Sequence, residues 1–252
     1  MTFTMKRFAA VFAVLCAGIS VVSAQQQSSS QQQEMSVEES YLQQSVELMV
    51  IREQSRADTR EMKLLALEYI GEAIDRGNTS REIRDALEYM GLEGVLNQAR
   101  ENNRLVNNFP DVRREAAKYL GEMGTPEAKD SLLRMLVVDN EPMVLQEVVK
   151  SLGKVGLNDN NETVATIAFV VKKFDVRAPD DLLALSAIDA LESLAERNNG
   201  ISRDAIDLLM RIAEGRYIRP VQNRARQTLS DLRRYTAQGQ QQQERDNSTG
   251  TR

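Results

Sequence analysis

A segment that repeats itself at an offset of 32 residues constrains the fold of this chain more than any other feature. Residues 110–124 (PDVRREAAKYLGEMG) and 142–156 (PMVLQEVVKSLGKVG) are identical at seven of fifteen positions, including both terminal glycines. The apolar spacing in each copy places a large residue, a small residue and a leucine on one helix face. A period of about 30–40 residues in such a pattern is typical of a helical solenoid.

The same spacing returns elsewhere along the chain. The additional copies are Leu183-Ala187-Leu191-Leu194, Val221-Ala225-Leu229-Leu232 and, less completely, Met62-Ala66-Ile70. Each small residue allows a neighbouring helix to approach closely, and the prolines and glycines suit helix starts and ends. A second helix follows each copy, at about 126–137, 162–174 and 202–213, and we expect these second helices to line a binding groove. No stretch shows sustained strand alternation or an Asn-Gly hairpin signal.

The first copy, with Pro110, Val112, Arg113, Ala116 and Leu120-Gly121, resembles the short bacterial kind of HEAT repeat. The second copy departs from that pattern, with Leu145 in place of arginine and Val148 in place of alanine. The resemblance covers about residues 59–235 and implies an all-α fold. We therefore expect an α-solenoid of about four to five HEAT-like helical hairpins with an N-terminal capping helix.

The N-terminal part of the solenoid is less regular. Capping-box patterns at Ser36 with Glu39 and at Thr79 with Glu82 predict two helix starts. We interpret 59–97 as a degenerate first repeat and 36–57 as its cap. A dimerising coiled-coil helix at 36–57 is the alternative.

The first 24 residues have the pattern of a secretory signal peptide. Lys6 and Arg7 precede the apolar run 8–19, and small residues lead to a predicted cleavage after Ala24. A lipidated Cys16 and an uncleaved anchor are alternatives. Without this segment the chain has no cysteine, and its charged residues are 30 basic against 37 acidic, because two of the 32 Lys and Arg are removed. A secreted protein without disulfides points to the periplasm.

Two Gln-rich segments frame the predicted solenoid. Residues 25–35 and 237–252 have almost no apolar side chains, so we expect a disordered linker and a disordered tail around a folded region at 36–236.

Composition excludes several classes of function. There is no histidine, so no Ser-His-Asp triad or histidine-ligated metal is available, and the acidic balance disfavours nucleic acid as a partner. The acidic pairs Glu38-Glu39 and Asp180-Asp181 suit helix starts better than catalysis. We therefore expect no catalytic, cofactor-binding or metal site.

The hypothesis that remains is a non-enzymatic periplasmic scaffold that binds a protein or peptide. Its candidate binding residues are Phe169, with Thr166 and Lys173 beside it on the side of the predicted helix that faces away from the core. A second candidate is an envelope-anchoring module that binds anionic partners through a C-terminal arginine cluster. The cluster comprises Arg216, Arg219, Arg224, Arg226, Arg233 and Arg234, with Arg211 just before it. A third, suggested by lyase relatives of such repeats, is a HEAT-like enzyme subunit.

Overall fold

A computed structural model of the chain describes residues 37–198, 200 and 202–232. The predicted signal peptide, linker and Gln-rich tail lie outside these residues. The helices are α1 (Val37–Ser55), α2 (Arg60–Asp75), α3 (Arg81–Leu92), α4 (Pro110–Met123), α5 (Pro126–Val138), α6 (Pro142–Val155), α7 (Glu162–Arg177), α8 (Asp181–Arg197) and α9 (Arg203–Glu214). A further helix, α10, occupies 219–232, and one 3₁₀ turn occupies Asp159–Asn161.

The architecture is an all-α solenoid, as the repeats predict. Four hairpins follow one another as α2–α3, α4–α5, α6–α7 and α8–α9, with α10 beginning the next unit. Helix α1 packs against α2 and α3 at the N-terminal end. The first helices of the hairpins form one row, and the second helices form another.

Local signals explain most helix boundaries. Proline occupies the first turn of α4, α5 and α6, and the side chains of Thr125, Asp180 and Ser202 accept backbone hydrogen bonds at the starts of α5, α8 and α9. Gly124 and Gly156 end α4 and α6 with φ of 65° and 74°, the left-handed conformation that favours glycine.

The predicted cap at Thr79 is wrong by one residue. Helix α3 begins at Arg81 with Ser80 as its N-cap, and the Ser80 side chain makes no capping bond. Asn78 organises the turn instead, because its Oδ1 accepts a hydrogen bond from the Ser80 N–H at 3.1 Å. The other predicted cap, Ser36, lies outside the described residues.

The repeated small and large residues form the contact between successive hairpins. Most of the described seam residues are buried, namely Ala116, Leu120, Val148, Leu152, Ala187, Leu191 and Ala225. Leu229 is only partly buried, and Met62, in the less complete copy, is 38% exposed, so its predicted place in the seam is wrong. Glycines bring the helices closest: a Cβ added at Gly121 would lie 2.6 Å from the Ser151 Cβ, and one at Gly153 would lie 2.8 Å from the Ala190 Cα. Close helix packing therefore explains the two glycines that follow the repeated leucine.

The two rows of helices are packed differently. Helices α4, α6 and α8 pack along much of their length, whereas α5, α7 and α9 touch each other sparsely. The outward side chains of α4 are correspondingly half-buried, whereas those of α5 are exposed. The first row is therefore the more tightly packed of the two, and the second helices carry the more exposed side chains. The expectation that the second helices line a groove stays a prediction.

A short β-hairpin between α3 and α4 was missed in the sequence. Strands β1 (Arg100–Glu101) and β2 (Arg104–Leu105) pair antiparallel around Asn102 and Asn103, which have φ of 48° and 63°. Two consecutive residues with positive φ match the tight turn for which Asn-Gly is the common signal, and asparagine also tolerates this conformation. The hairpin extends a loop and leaves the helical stack uninterrupted.

Candidate functional site

The acidic pair at 180–181 has a structural role. Asp180 Oδ1 accepts hydrogen bonds from the N–H groups of Leu182 and Leu183 at 2.9 and 2.8 Å, which caps α8. Asp181 Oδ1 accepts from the Ile218 N–H at 2.9 Å and so ties α8 to the loop before α10. The other pair, Glu38-Glu39, belongs to residues whose side chains are not described.

The described residues contain no group of three or more His, Cys, Asp or Glu side chains placed to hold a metal ion. Among the same residues, no helix is both long enough and apolar enough to cross a membrane.

An exposed apolar surface on α7 and α9 surrounds the candidate residue Phe169. Phe169 is 60% exposed and points directly away from the core face of α7. Val176, two turns later on the same face, is 74% exposed. On α9, Ile206 and Met210 are exposed, and Met210 occupies the position that Phe169 occupies on α7. We call Phe169, Val176, Ile206 and Met210 the outer patch.

The sequence prediction found one residue of this patch and missed three. Counting from the start of each second helix shows that residues 165 and 169 of α7 correspond to 206 and 210 of α9. That alignment was available from the sequence, because the buried positions Ile167, Ala168 and Val171 match Leu208, Leu209 and Ile212. An alignment of the second helices therefore identifies Ile206 and Met210, and Val176 follows from its spacing of seven residues after Phe169.

The two predicted neighbours of Phe169 already have partners. The Thr166 hydroxyl donates a hydrogen bond to the Glu162 carbonyl at 2.8 Å, as threonine often does within a helix. Lys173 Nζ donates to Asn140 Oδ1 at 3.2 Å, and it also lies 5.8 Å from the centre of the Phe174 ring. Both residues border the outer patch, but their polar groups are engaged within the chain.

In the C-terminal arginine cluster, Arg224 and the preceding Arg211 are paired with carboxylates. Arg211 forms an ion pair with Asp175 at 2.6 Å. Arg224 contacts both Asp189, at 2.9 Å, and Glu192. Arg226 donates to the Ala213 carbonyl at 2.6 Å. Arg216 and Arg219 are exposed, and Arg233 and Arg234 lie outside the described residues. The fold thus pairs Arg211 and Arg224 with carboxylates of α7 and α8, whereas Arg216 and Arg219 remain exposed.

Asp175 contacts Tyr217 as well as Arg211, and these contacts fix the end of α7 that borders the outer patch. Burial is the largest cause that raises the pKa of the Tyr217 hydroxyl well above its usual value, and the hydrogen bond to Asp175 raises this pKa further. Tyr217 is buried in the loop between α9 and α10. The Tyr217–Asp175–Arg211 contacts therefore hold the end of α7, which carries Val176, against α9.

Two buried ion pairs lie inside the solenoid at equivalent places. Arg113 of α4 contacts Asp139, just after α5, at 2.6 Å, and both side chains are 2% exposed. Lys63 of α2 contacts Glu93, just after α3, at 2.6 Å. Asp139 Oδ1 also accepts from the N–H groups of Asn140 and Glu141 at the entry to α6. Each buried pair therefore joins the first helix of a hairpin to the residue that follows its second helix, and its role is structural.

The exposed face of the first helices offers paired charges in place of an apolar surface. Glu115 contacts Lys118 at 3.3 Å, Glu147 contacts Lys150 at 3.7 Å, and Glu122 contacts Lys154 at 3.7 Å. Within the described body of α4, α6 and α8, exposed large apolar side chains are confined to the first turns, at Met143 and Leu182. The outer patch is therefore the stronger candidate for binding.

Residues 103–172 match the sequence model of the family described as HEAT repeats. The matched segment covers α4, α5, α6 and most of α7, including the two copies with seven identical positions. A comparison with curated proteins gave no match. The resemblance inferred from the Pro-x-Val-Arg pattern is confirmed by the family match.

Proposed function

We propose, from the match of residues 103–172 to the HEAT-repeat model, that this chain is a non-enzymatic periplasmic scaffold that binds a protein or peptide. The outer patch on α7 and α9 is the binding surface in this proposal. The observation that carries it is the 60% exposure of Phe169 beside three further exposed apolar side chains. An aromatic residue within a contiguous apolar surface is typical of an interaction site.

The chemistry of the patch defines the partner that fits it. Four apolar side chains on two neighbouring helices suit an apolar face of a folded protein or an amphipathic segment. The polar groups around them carry both signs of charge, with Arg203 paired to Asp207 at 3.9 Å on α9 and Lys173 on α7. A rim of mixed charge surrounding an apolar centre is the usual anatomy of a protein interface.

Two features of the sequence support the periplasm and a non-catalytic role. The signal-peptide pattern at 1–24 supports export, and the absence of cysteine after Cys16 is compatible with folding in an oxidising compartment. HEAT repeats generally serve as scaffolds for protein interactions. Histidine, the most frequent general acid–base residue, is missing from the whole sequence.

The experiment that tests the proposed function uses a photo-crosslinking amino acid at position 169. The variant is expressed in the native cell, irradiated, and its crosslinked product identified by mass spectrometry. The purified partner is then titrated against the chain without its predicted signal peptide, residues 25–252. Phe169→Asp is expected to weaken binding by roughly thirtyfold, the size of a hot-spot loss of about 2 kcal/mol.

Leu182→Asp is the matched control, because Leu182 is 62% exposed but lies on α8, outside the outer patch. We expect it to leave the affinity within about twofold. Equal losses with both variants, or no loss with Phe169→Asp, would place the binding surface elsewhere and refute the proposal.

A further inference from the structure

The N-terminal end of the solenoid exposes a stripe of apolar side chains. Helix α1 buries Ile51 and packs Leu48 against the core. On its outward face, Leu42, Val46, Met49 and Val50 are exposed by 63%, 59%, 64% and 37%. Their spacing places them along one side of the helix, and we call these four residues the α1 ridge. A ridge of this kind is unusual at the end of a solenoid, where the outer face is ordinarily polar.

The opposite end of the solenoid has the polar surface that the first end lacks. The outward residues of α10, within its described range of 219–232, include Asn223, Arg226, Gln227 and Ser230. This surface ends the stack in the usual way, because it leaves little apolar area for a further helix. Within residues 37–232 that the structure describes, an apolar first end and a polar last end do not match each other, so these two surfaces are not complementary for head-to-tail stacking.

The charges around the α1 ridge are compatible with a second copy of the same surface. Between Leu42 and Val50, the charged side chain is Glu47, which forms an ion pair with Arg76 of α2. In the next turn, exposed Arg52 and Glu53 have opposite signs. An interface between identical surfaces brings like groups together, so a neutral centre avoids the repulsion that an unpaired charge would cause.

The geometry of the ridge is also self-complementary. Leu42 and Val50 each lie four residues from Val46, and Met49 fills the adjacent row. Rows with a spacing of four residues pack into the grooves of an identical helix at a crossing angle of about −50°. A two-fold axis near Val46 then sets Leu42 of one helix against Val50 of the other.

We propose that this chain forms a two-fold symmetric dimer in which the α1 ridge packs against the α1 ridge of a second copy. The C-terminal ends remain on the outside of the dimer, so the assembly is closed. The outer patch on α7 and α9 stays accessible, so the dimer presents two copies of it. The contact is confined to the middle of one helix pair, which places it among small interfaces that form in a concentration-dependent manner.

Cysteine crosslinking tests the position of the two-fold axis. Residues 25–252 contain no cysteine, so Val46→Cys introduces a single thiol near the axis, within reach of its symmetry mate. We expect mild oxidation to convert most of this variant into a disulfide-linked dimer. Leu182→Cys, with a similarly exposed original side chain on α8, is the matched control and is expected to remain mostly uncrosslinked. Equal crosslinking of the two variants would overturn the proposal.

Sedimentation velocity tests the same interface without a covalent bond. The unmodified 25–252 chain is expected to shift from monomer to dimer as its concentration rises to ~100 μM, the range of weak interfaces. Val46→Glu is expected to weaken association at least about tenfold while leaving the circular dichroism spectrum unchanged. An equimolar mixture with Val46→Lys should recover the dimer. A monomer at every concentration, or a dimer unaffected by Val46→Glu, would refute the α1 interface.

Discussion

Replacing Arg113 with alanine is expected to lower the free energy of unfolding by about 3–5 kcal/mol. The substitution leaves the Asp139 carboxylate buried at 2% exposure without its 2.6 Å partner. It also removes the hydrogen bond of 2.7 Å that Arg113 donates to Asn108 in the loop before α4. A buried charge without a partner costs far more than an exposed one. Urea unfolding monitored by circular dichroism measures the loss.

Arg134→Ala is the matched control for this substitution. Arg134 also contacts a carboxylate, Glu88, at 2.7 Å, but its side chain is 56% exposed. Exposed ion pairs contribute little to stability, so we expect Arg134→Ala to change the free energy of unfolding by less than about 1 kcal/mol. If Arg113→Ala is no more destabilising than Arg134→Ala, the buried pair does not stabilise the α4–α5 hairpin.

Replacing Leu152 with alanine is expected to lower the free energy of unfolding by about 2–5 kcal/mol. Leu152 is fully buried in α6, whose first-row neighbours are α4 and α8. The loss combines the removed apolar contacts with the cavity that remains, because helices packed on both sides cannot close around it. The urea concentration at the midpoint of unfolding should fall in proportion to the lost free energy of unfolding.

Val137→Ala provides the comparison for Leu152→Ala. Val137 lies on α5 with nearly half of its surface exposed. Alanine has a higher helix propensity than valine, so we expect Val137→Ala to change the free energy of unfolding by no more than about 0.5 kcal/mol. A similar effect at the two positions would contradict the assignment of Leu152 to the contact between hairpins.

The repeat architecture was predictable because its signals are local. Each first helix carries its own apolar spacing, its proline or capping residue at the start and, in two copies, a terminal glycine with positive φ. Burial of Ala116, Leu120, Ala187 and Leu191 follows directly from that spacing.

Contacts distant in sequence were not predictable in the same way. Arg224 meets Asp189, 35 residues earlier, and Arg211 meets Asp175, 36 residues earlier. A count of neighbouring charges treats these arginines as unopposed, whereas the fold brings carboxylates from the preceding hairpin to them. The partner of buried Arg113 is likewise 26 residues away.

Which row of helices packs more tightly also depends on interactions between repeats. Both rows have helices of similar length and apolar spacing, so a single hairpin does not reveal which row is tighter. The small residues of the first row, Gly121 with Ser151 and Gly153 with Ala190, permit the closer approach. The sizes of residues at equivalent positions in successive repeats therefore indicate which row packs more tightly. The apolar periodicity alone does not show this.

Close packing of successive first helices holds this solenoid together, and a double-mutant cycle between Gly121 and Ser151 measures that contact. In a helix with open space around it, Gly→Ala stabilises by about 0.5–1 kcal/mol. Here the added Cβ would lie 2.6 Å from the Ser151 Cβ, so Gly121→Ala is expected to destabilise by about 1–3 kcal/mol.

Ser151→Gly removes the opposing Cβ and costs about 0.5 kcal/mol of helix propensity by itself. In the double variant, we expect urea unfolding to show a loss smaller than the sum of the single losses by at least about 1 kcal/mol. Stabilisation by Gly121→Ala alone, or additivity within about 0.5 kcal/mol, would contradict the close contact between α4 and α6.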